Sequence, residues 1–293
     1  MRLTPRERVG VVTRRMLSDP HVHEIREIAA KVGECDGTLL AAGLAFNALF
    51  AIIPALLFVV GLLGFVMGDP TAARETVLTF LAQVPAVSRS VDAVIAQVLA
   101  QRGPFSIVGI IGVAWASSGF YGSLDGAMRR LFPGTGAHAR GIIEQRLRGL
   151  VAVVGLVVAV IGTVVLGSVI SLLDAASLLP AGAFGLSVLG AALTTAVFVA
   201  VAWLVYVIVP TEGPGPRTAF LPAVAVGVAV GALTALYSAL TPLLVGSAAG
   251  IGILAALFGA LVWLRLAFLF LVYGAAWARI RRDRQRLPEA KPA

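Results

Sequence analysis

The chain is poor in the residue types on which most enzyme chemistry depends. One cysteine, Cys35, stands among 293 residues, which excludes an internal disulfide and a thiolate metal site. Histidine occurs three times, as His21, His23 and His138, with no H-E-x-x-H spacing and no close metal-binding constellation. Neither a G-x-S-x-G elbow nor a phosphate-binding G-x-x-x-x-G-K-[ST] loop is present, so nucleotide hydrolysis by the chain itself is not expected. Charge is scarce as well. The 23 basic and 15 acidic residues make up 13% of the chain, where a soluble globule carries about 25%. Against this, 59% of the residues are hydrophobic and the mean hydropathy is +0.95. That excludes a soluble fold. Alternation of polar and apolar residues is also missing, which excludes a β-barrel.

What remains is an all-α, polytopic transmembrane bundle. A helix crossing the roughly 30 Å hydrocarbon core needs about 20 apolar residues. The uncharged runs supply six such segments, at about 37–68, 103–132, 149–174, 186–210, 219–245 and 251–278. The last two come from a single uncharged run of 47 residues, Thr218 to Leu264, divided at the small-residue hairpin Gly246–Gly250. The expected organisation is therefore an N-terminal amphipathic arm at 1–36, a six-helix membrane domain at 37–280 with an exterior hairpin at 69–102, and a basic tail at 281–293.

The basic residues orient the bundle. With both termini on one side, that side receives 19 of the 23 Lys/Arg: seven in residues 1–37, five in 129–148, Arg217, and six from Arg279 onward. The positive-inside rule then predicts cytoplasmic termini. The net charge of +8 is thus topological and meets anionic headgroups; nucleic-acid binding is not expected. The first 37 residues lack an apolar core of roughly 7–15 residues, so the first span serves as the insertion signal. In the arm, Val22, Ile25, Ile28, Ala29 and Val32 form a stripe of helical period, as in a helix lying on the leaflet or bracing the bundle. The hairpin at 69–102 pairs two short helices with one apolar side, reading equally as a cap over the helix ends or as a gate.

Polar residues inside the spans mark the candidate site. Arg265 lies about 13 residues from each end of the sixth span, roughly 20 Å from either interface at 1.5 Å per residue. An arginine does not snorkel that far, so it must meet a protein interior, a hydrated cavity or an anionic partner. It either holds an anionic substrate group with its planar fork or pairs internally to fix packing. Asp125 is the candidate partner, although Arg129 stands four residues on and offers it a local ion pair. Asn47 in the first span and Tyr121 in the second, with Ser117 and Ser118, line the same cavity or tie helices together. Gly64-x-x-x-Gly68 and Gly227-x-x-x-Gly231 permit close helix approach, but in a chain with 32 glycines such spacings also arise by chance.

Several stretches resemble the YihY/BrkB family of bacterial inner-membrane proteins. Ala42–Pro54 (AGLAFNALFAIIP) resembles its opening span, and Val113–Arg130 (VAWASSGFYGSLDGAMRR) its second. Val205–Pro210, Arg217 and Leu221–Gly227 resemble the junction of spans four and five, while Leu261–Leu264 and Tyr273–Ala275 resemble span six. The similarity runs from about 37 to 280. Two lysines beside 21 arginines fit the codon bias of a G+C-rich bacterial genome. Departures fall in the last helix: Arg265 stands where the family usually has an aromatic, and Ala276 where it commonly has a glutamate.

The resemblance implies a six-helix protein of the bacterial inner (plasma) membrane. The family was once labelled ribonuclease BN, it is linked by name to serum-resistance virulence factors, and its members are discussed as transporters or lipid translocators. Metal-dependent RNA hydrolysis needs clustered His and Asp/Glu ligands on a wet scaffold, which this chain does not offer. The expectation is a transporter or amphiphile translocator, neither an enzyme nor a holder of any cofactor or metal. Its partners are the bilayer and an anionic lipid or small anion, with Arg265, Asp125, Asn47 and Tyr121 along the path. The alternative is a non-transporting membrane scaffold or partner-binding protein in envelope assembly. A homo-oligomer is left open.

Overall fold

The computed structural model describes residues 20–66, 102–133, 182–246 and 252–286. The expected third span at 149–174, the hairpin at 69–101, the first part of the arm and the turn at 247–250 lie outside the described residues. Six helices occupy the described chain, which contains no strand: α1 (Pro20–Glu34), α2 (Gly37–Val66), α3 (Arg102–Leu131), α4 (Gly182–Ile208), α5 (Pro216–Gly246) and α6 (Gly252–Arg286). Uncharged chain in hydrocarbon has no water to satisfy its amides, so the helix is its only local solution. Prolines do not end these helices: α2 runs through Pro54, and α5 through Pro222 and Pro242.

The helices form two pairs joined by a hub. α2 packs along α3, α4 packs along α5, and α6 lies between the pairs against α2 and α5. α1 leans on α6 and α2. Between α1 and α2 the chain reverses at Asp36, whose φ of 52° is the left-handed conformation that asparagine and aspartate tolerate best after glycine. The Asp36 carbonyl then accepts from the Leu39 and Leu40 amides, starting α2.

The α4–α5 crossing is set by absent side chains. A Cβ on Gly227 would meet Val199, its backbone included, and one on Gly231 would meet the Thr195 hydroxyl. The Gly227-x-x-x-Gly231 spacing, which chance could have produced, is therefore the contact face of α5 against α4. Gly274 does the same for the hub. A Cβ there would fall on the Tyr206 hydroxyl and on Val226. Tyr206 is fully buried and donates to the Leu271 carbonyl at 2.7 Å, joining α4 to α6 where Gly274 leaves room.

α6 continues to Arg286, past the span end expected at 278, so the first residues of the expected basic tail are helical. Outward faces are strongly apolar. Trp115 is 77% exposed, and Phe46, Phe50, Leu236, Phe258 and Val262 are also open. A soluble monomer rarely exposes apolar patches beyond a few hundred Å², whereas lipid is the natural cover for such a belt. Three stretches among the described residues, Val188–Ile208, Pro216–Leu240 and Phe258–Arg286, are long and apolar enough to cross a membrane.

Candidate functional site

The four residues expected along a path fall into two groups. Asn47 on α2 bonds across to α3: its Nδ2 donates to Ser123 Oγ at 2.8 Å and to the Gly43 carbonyl at 3.1 Å. Ser123 in turn donates to the Gly119 carbonyl at 3.0 Å. This is interhelical glue. Two residues further along α3, Asp125 is buried, and its Oδ2 lies 2.7 Å from Arg129 Nη2. The local i,i+4 pair is thus formed. Tyr121, also buried, stands on the same helix. Asn47, Tyr121 and Asp125 accordingly share the α2–α3 pair.

Arg265 stands apart, on α6. It is exposed, on the face that carries Phe258 and Val262 seven and three residues before it, and among the described residues it forms no hydrogen bond or ion pair. Phe268, three residues on, turns the other way and stacks on Phe120 of α3 with ring centroids 5.8 Å apart. No bond among the described residues links Arg265 to Asp125.

The richest polar assembly was not singled out from the sequence. It is built by the last three turns of α6, whose arginines were counted there only as topological charge. Arg279 Nη1 donates to the Leu131 carbonyl at 2.9 Å, a cation closing the C-terminal end of α3 where helix carbonyls lack partners. Arg282, 7% exposed, donates to the Glu212 carbonyl in the α4–α5 loop and lies 2.9 Å from Asp283. Its guanidinium also sits over the Phe132 ring at 5.5 Å. Arg284 reaches Glu27 at 2.6 Å and Glu24 at 3.5 Å on α1, and Trp277 Nε1 donates to Glu24 at 2.9 Å. Thr218 at the start of α5 donates to Gln285 at 2.7 Å, and Arg286 approaches Glu212 at 3.7 Å. One helix end thereby clasps α1, α3, α5 and the α4–α5 loop. A readable signal existed: Arg279 and Asp283 are spaced i,i+4, and Arg279, Arg282 and Arg286 continue one helical face beyond Ala278.

Beside the clasp, Glu34 at the end of α1 is held below the ordinary carboxylate range. The cause is the hydrogen bond from Lys31 at 2.7 Å, then the charge of Lys31, with a smaller part from Arg279. Cys35 donates from Sγ to the Arg130 carbonyl at 3.3 Å, a passive tie between the α1–α2 turn and α3. Among the described residues no three His, Cys, Asp or Glu side chains are grouped to hold a metal ion. The chemistry on hand is charge pairing and carbonyl capping.

An apolar groove of about 230 Å³ opens on the outside of the bundle between α1, α5 and α6. Ile25 and Ile28 of α1, Pro222 and Ala229 of α5, and Phe270 and Trp277 of α6 are among its lining residues.

Apolar helices with outward hydrophobic faces, tied at one end by arginines, define an α-helical membrane protein. The model of the virulence factor BrkB family matches residues 28–293. The chain belongs to that family. No curated protein and no solved structure matches it.

Proposed function

We propose that the chain is a multi-pass protein of the bacterial inner membrane, with the arginine-rich end of α6 and both termini in the cytoplasm, and that it moves an anionic amphiphile or small anion without an ATPase of its own. It is not an enzyme in this reading and uses neither cofactor nor nucleic acid. The observation that carries it is Arg265. A cation near mid-membrane is costly enough to need a partner, and the described residues give it none. A phosphate or carboxylate in transit along α6 supplies the missing charge and matches the guanidinium fork. Asn47, Tyr121 and Asp125 enter as fixed parts of the α2–α3 wall, since Asn47 and Asp125 are engaged with Ser123 and Arg129.

The test is flux through the purified chain in liposomes, with labelled anionic phospholipid and labelled small anions in separate arms. Wild-type protein is expected to exceed empty liposomes, and Arg265→Ala to lose most of that excess while eluting and melting as wild type. Equal flux with and without protein refutes transport. A second reading, a scaffold in envelope assembly, is favoured by the clasp, because charges spent on carbonyls and carboxylates brace a static assembly. It requires Arg265→Ala to lower abundance or melting temperature.

A further inference from the structure

The groove between α1, α5 and α6 combines three properties. It is lined almost wholly by carbon, it is partly open, and its lining residues recur at helical spacing along α5 and α6. From Pro222 to Ala229 it follows α5 for about 10 Å, a third of the roughly 30 Å hydrocarbon thickness. Its volume of about 230 Å³ is on the scale of a short alkyl segment. Its polar end is marked by Trp277, an indole with its N–H bonded to Glu24 and its ring in the groove wall. That is the amphipathic placement of a residue at a headgroup boundary.

The charge at that end is particular. On α6 the groove is lined by Phe270, Tyr273, Gly274 and Trp277, and the residue that follows Phe270, Gly274 and Trp277 at helical spacing is Arg281. Its guanidinium lies over the Trp277 ring, 5.8 Å from the centroid. Arg279, Arg282, Arg284 and Arg286 each have a carboxylate within 4 Å. Arg281, among the described residues, has none. The clasp therefore leaves one arginine over, and it lies over the ring of a residue that lines the groove.

We infer that this groove is a binding site for one molecule of anionic phospholipid from the leaflet at the basic end, with an acyl chain along Phe270–Trp277 and Pro222–Ala229 and the phosphate on Arg281. Apolar walls provide the chain contact without regard to headgroup, and Arg281 provides the preference for negative charge. The site is independent of transport: a lipid held here need not move, so failure of this proposal leaves the flux experiment untouched, and the reverse.

The test uses Trp277 as reporter. The full chain is placed in phosphatidylcholine nanodiscs with a minor share of either phosphatidylglycerol or phosphatidylcholine bearing brominated chains. Quenching of Trp277 is the difference between wild type and Trp277→Phe. Brominated phosphatidylglycerol should quench at about fivefold lower mole fraction than brominated phosphatidylcholine, the scale of one basic residue at an anionic surface. Arg281→Gln should abolish that preference and leave phosphatidylcholine quenching as it was, while Ala225→Phe, which fills the groove from an exposed position, should weaken quenching by both. If Trp277→Phe does not fold, mass spectrometry of phosphatidylglycerol retained through purification replaces the reporter, with one molecule fewer expected on Arg281→Gln. Equal quenching by the two lipids overturns the proposal, as does a preference that survives Arg281→Gln. Absence of quenching in a protein that scatters light as a dimer assigns the groove to a second copy instead, and overturns it too.

Discussion

The two halves of α6 treat the same residue type in opposite ways. From Leu271 to Arg286 the helix is a joint: Tyr206 bonds to its backbone, Gly274 admits that tyrosine, and Arg279, Arg282, Arg284 and Arg286 are bonded to carbonyls or carboxylates of three neighbouring segments. From Phe258 to Phe270 the same helix carries one arginine, Arg265, exposed and without a partner among the described residues. Where headgroups and water stand near, arginine is inexpensive and doubles as a cap for helix ends. Deep in an apolar span it is costly, and structural convenience does not explain it. The C-terminal half is construction, and the other half carries the unpaired charge on which the transport proposal rests.

The largest expected effect lies at the joint. Gly274→Leu drives a side chain into Tyr206 and Val226, and overpacking with loss of the Tyr206–Leu271 bond should cost about 3 kcal/mol or more, seen as loss of folded protein in detergent. Arg282→Ala should cost about 2–3 kcal/mol in thermal or denaturant unfolding, because it removes a charged hydrogen bond to the Glu212 carbonyl and the packing on Phe132. Arg265→Ala is the reverse case. Stability should stay within about 0.5 kcal/mol, as for an exposed side chain, while flux falls to background. If its melting point drops as far as that of Arg282→Ala, the contrast between the two halves is gone.

The smallest effect is set by pH. Glu34 has its carboxyl held low by Lys31, so its contribution is present above the ordinary carboxylate range and is lost as pH falls through its own lowered value. Glu34→Gln should therefore flatten a slight fall in melting temperature on acidification, without altering the neutral-pH value much, since the pair is exposed. A large acid loss that persists in Glu34→Gln would show that the Lys31–Glu34 pair does not set it.

Legibility followed locality. The spans expected at 37–68, 103–132, 186–210, 219–245 and 251–278 correspond to helices at Gly37–Val66, Arg102–Leu131, Gly182–Ile208, Pro216–Gly246 and Gly252–Arg286. A run of uncharged residues is a property of the run itself, so it reads directly. The Asp125–Arg129 pair was also open to reading, because an i,i+4 spacing is decided within one helix. The Gly227–Gly231 face was not, since a spacing does not say which helix will press on it; Val199 and Thr195 lie about thirty residues away. The roles of Arg279, Arg282 and Arg284 were hidden for the same reason. Their partners Leu131, Glu212 and Glu27 come from three other segments.

By itself, then, the sequence determined that this is a helical membrane chain and where the described helices run, because transfer of uncharged segments into hydrocarbon depends on composition alone. Which way each helix turns its polar residues was decided only by tertiary structure. Rotation and crossing follow from how side chains of distant segments fill one another's gaps. That is why four arginines of one helix became a clasp, one was left at a groove, and Arg265 was turned outward.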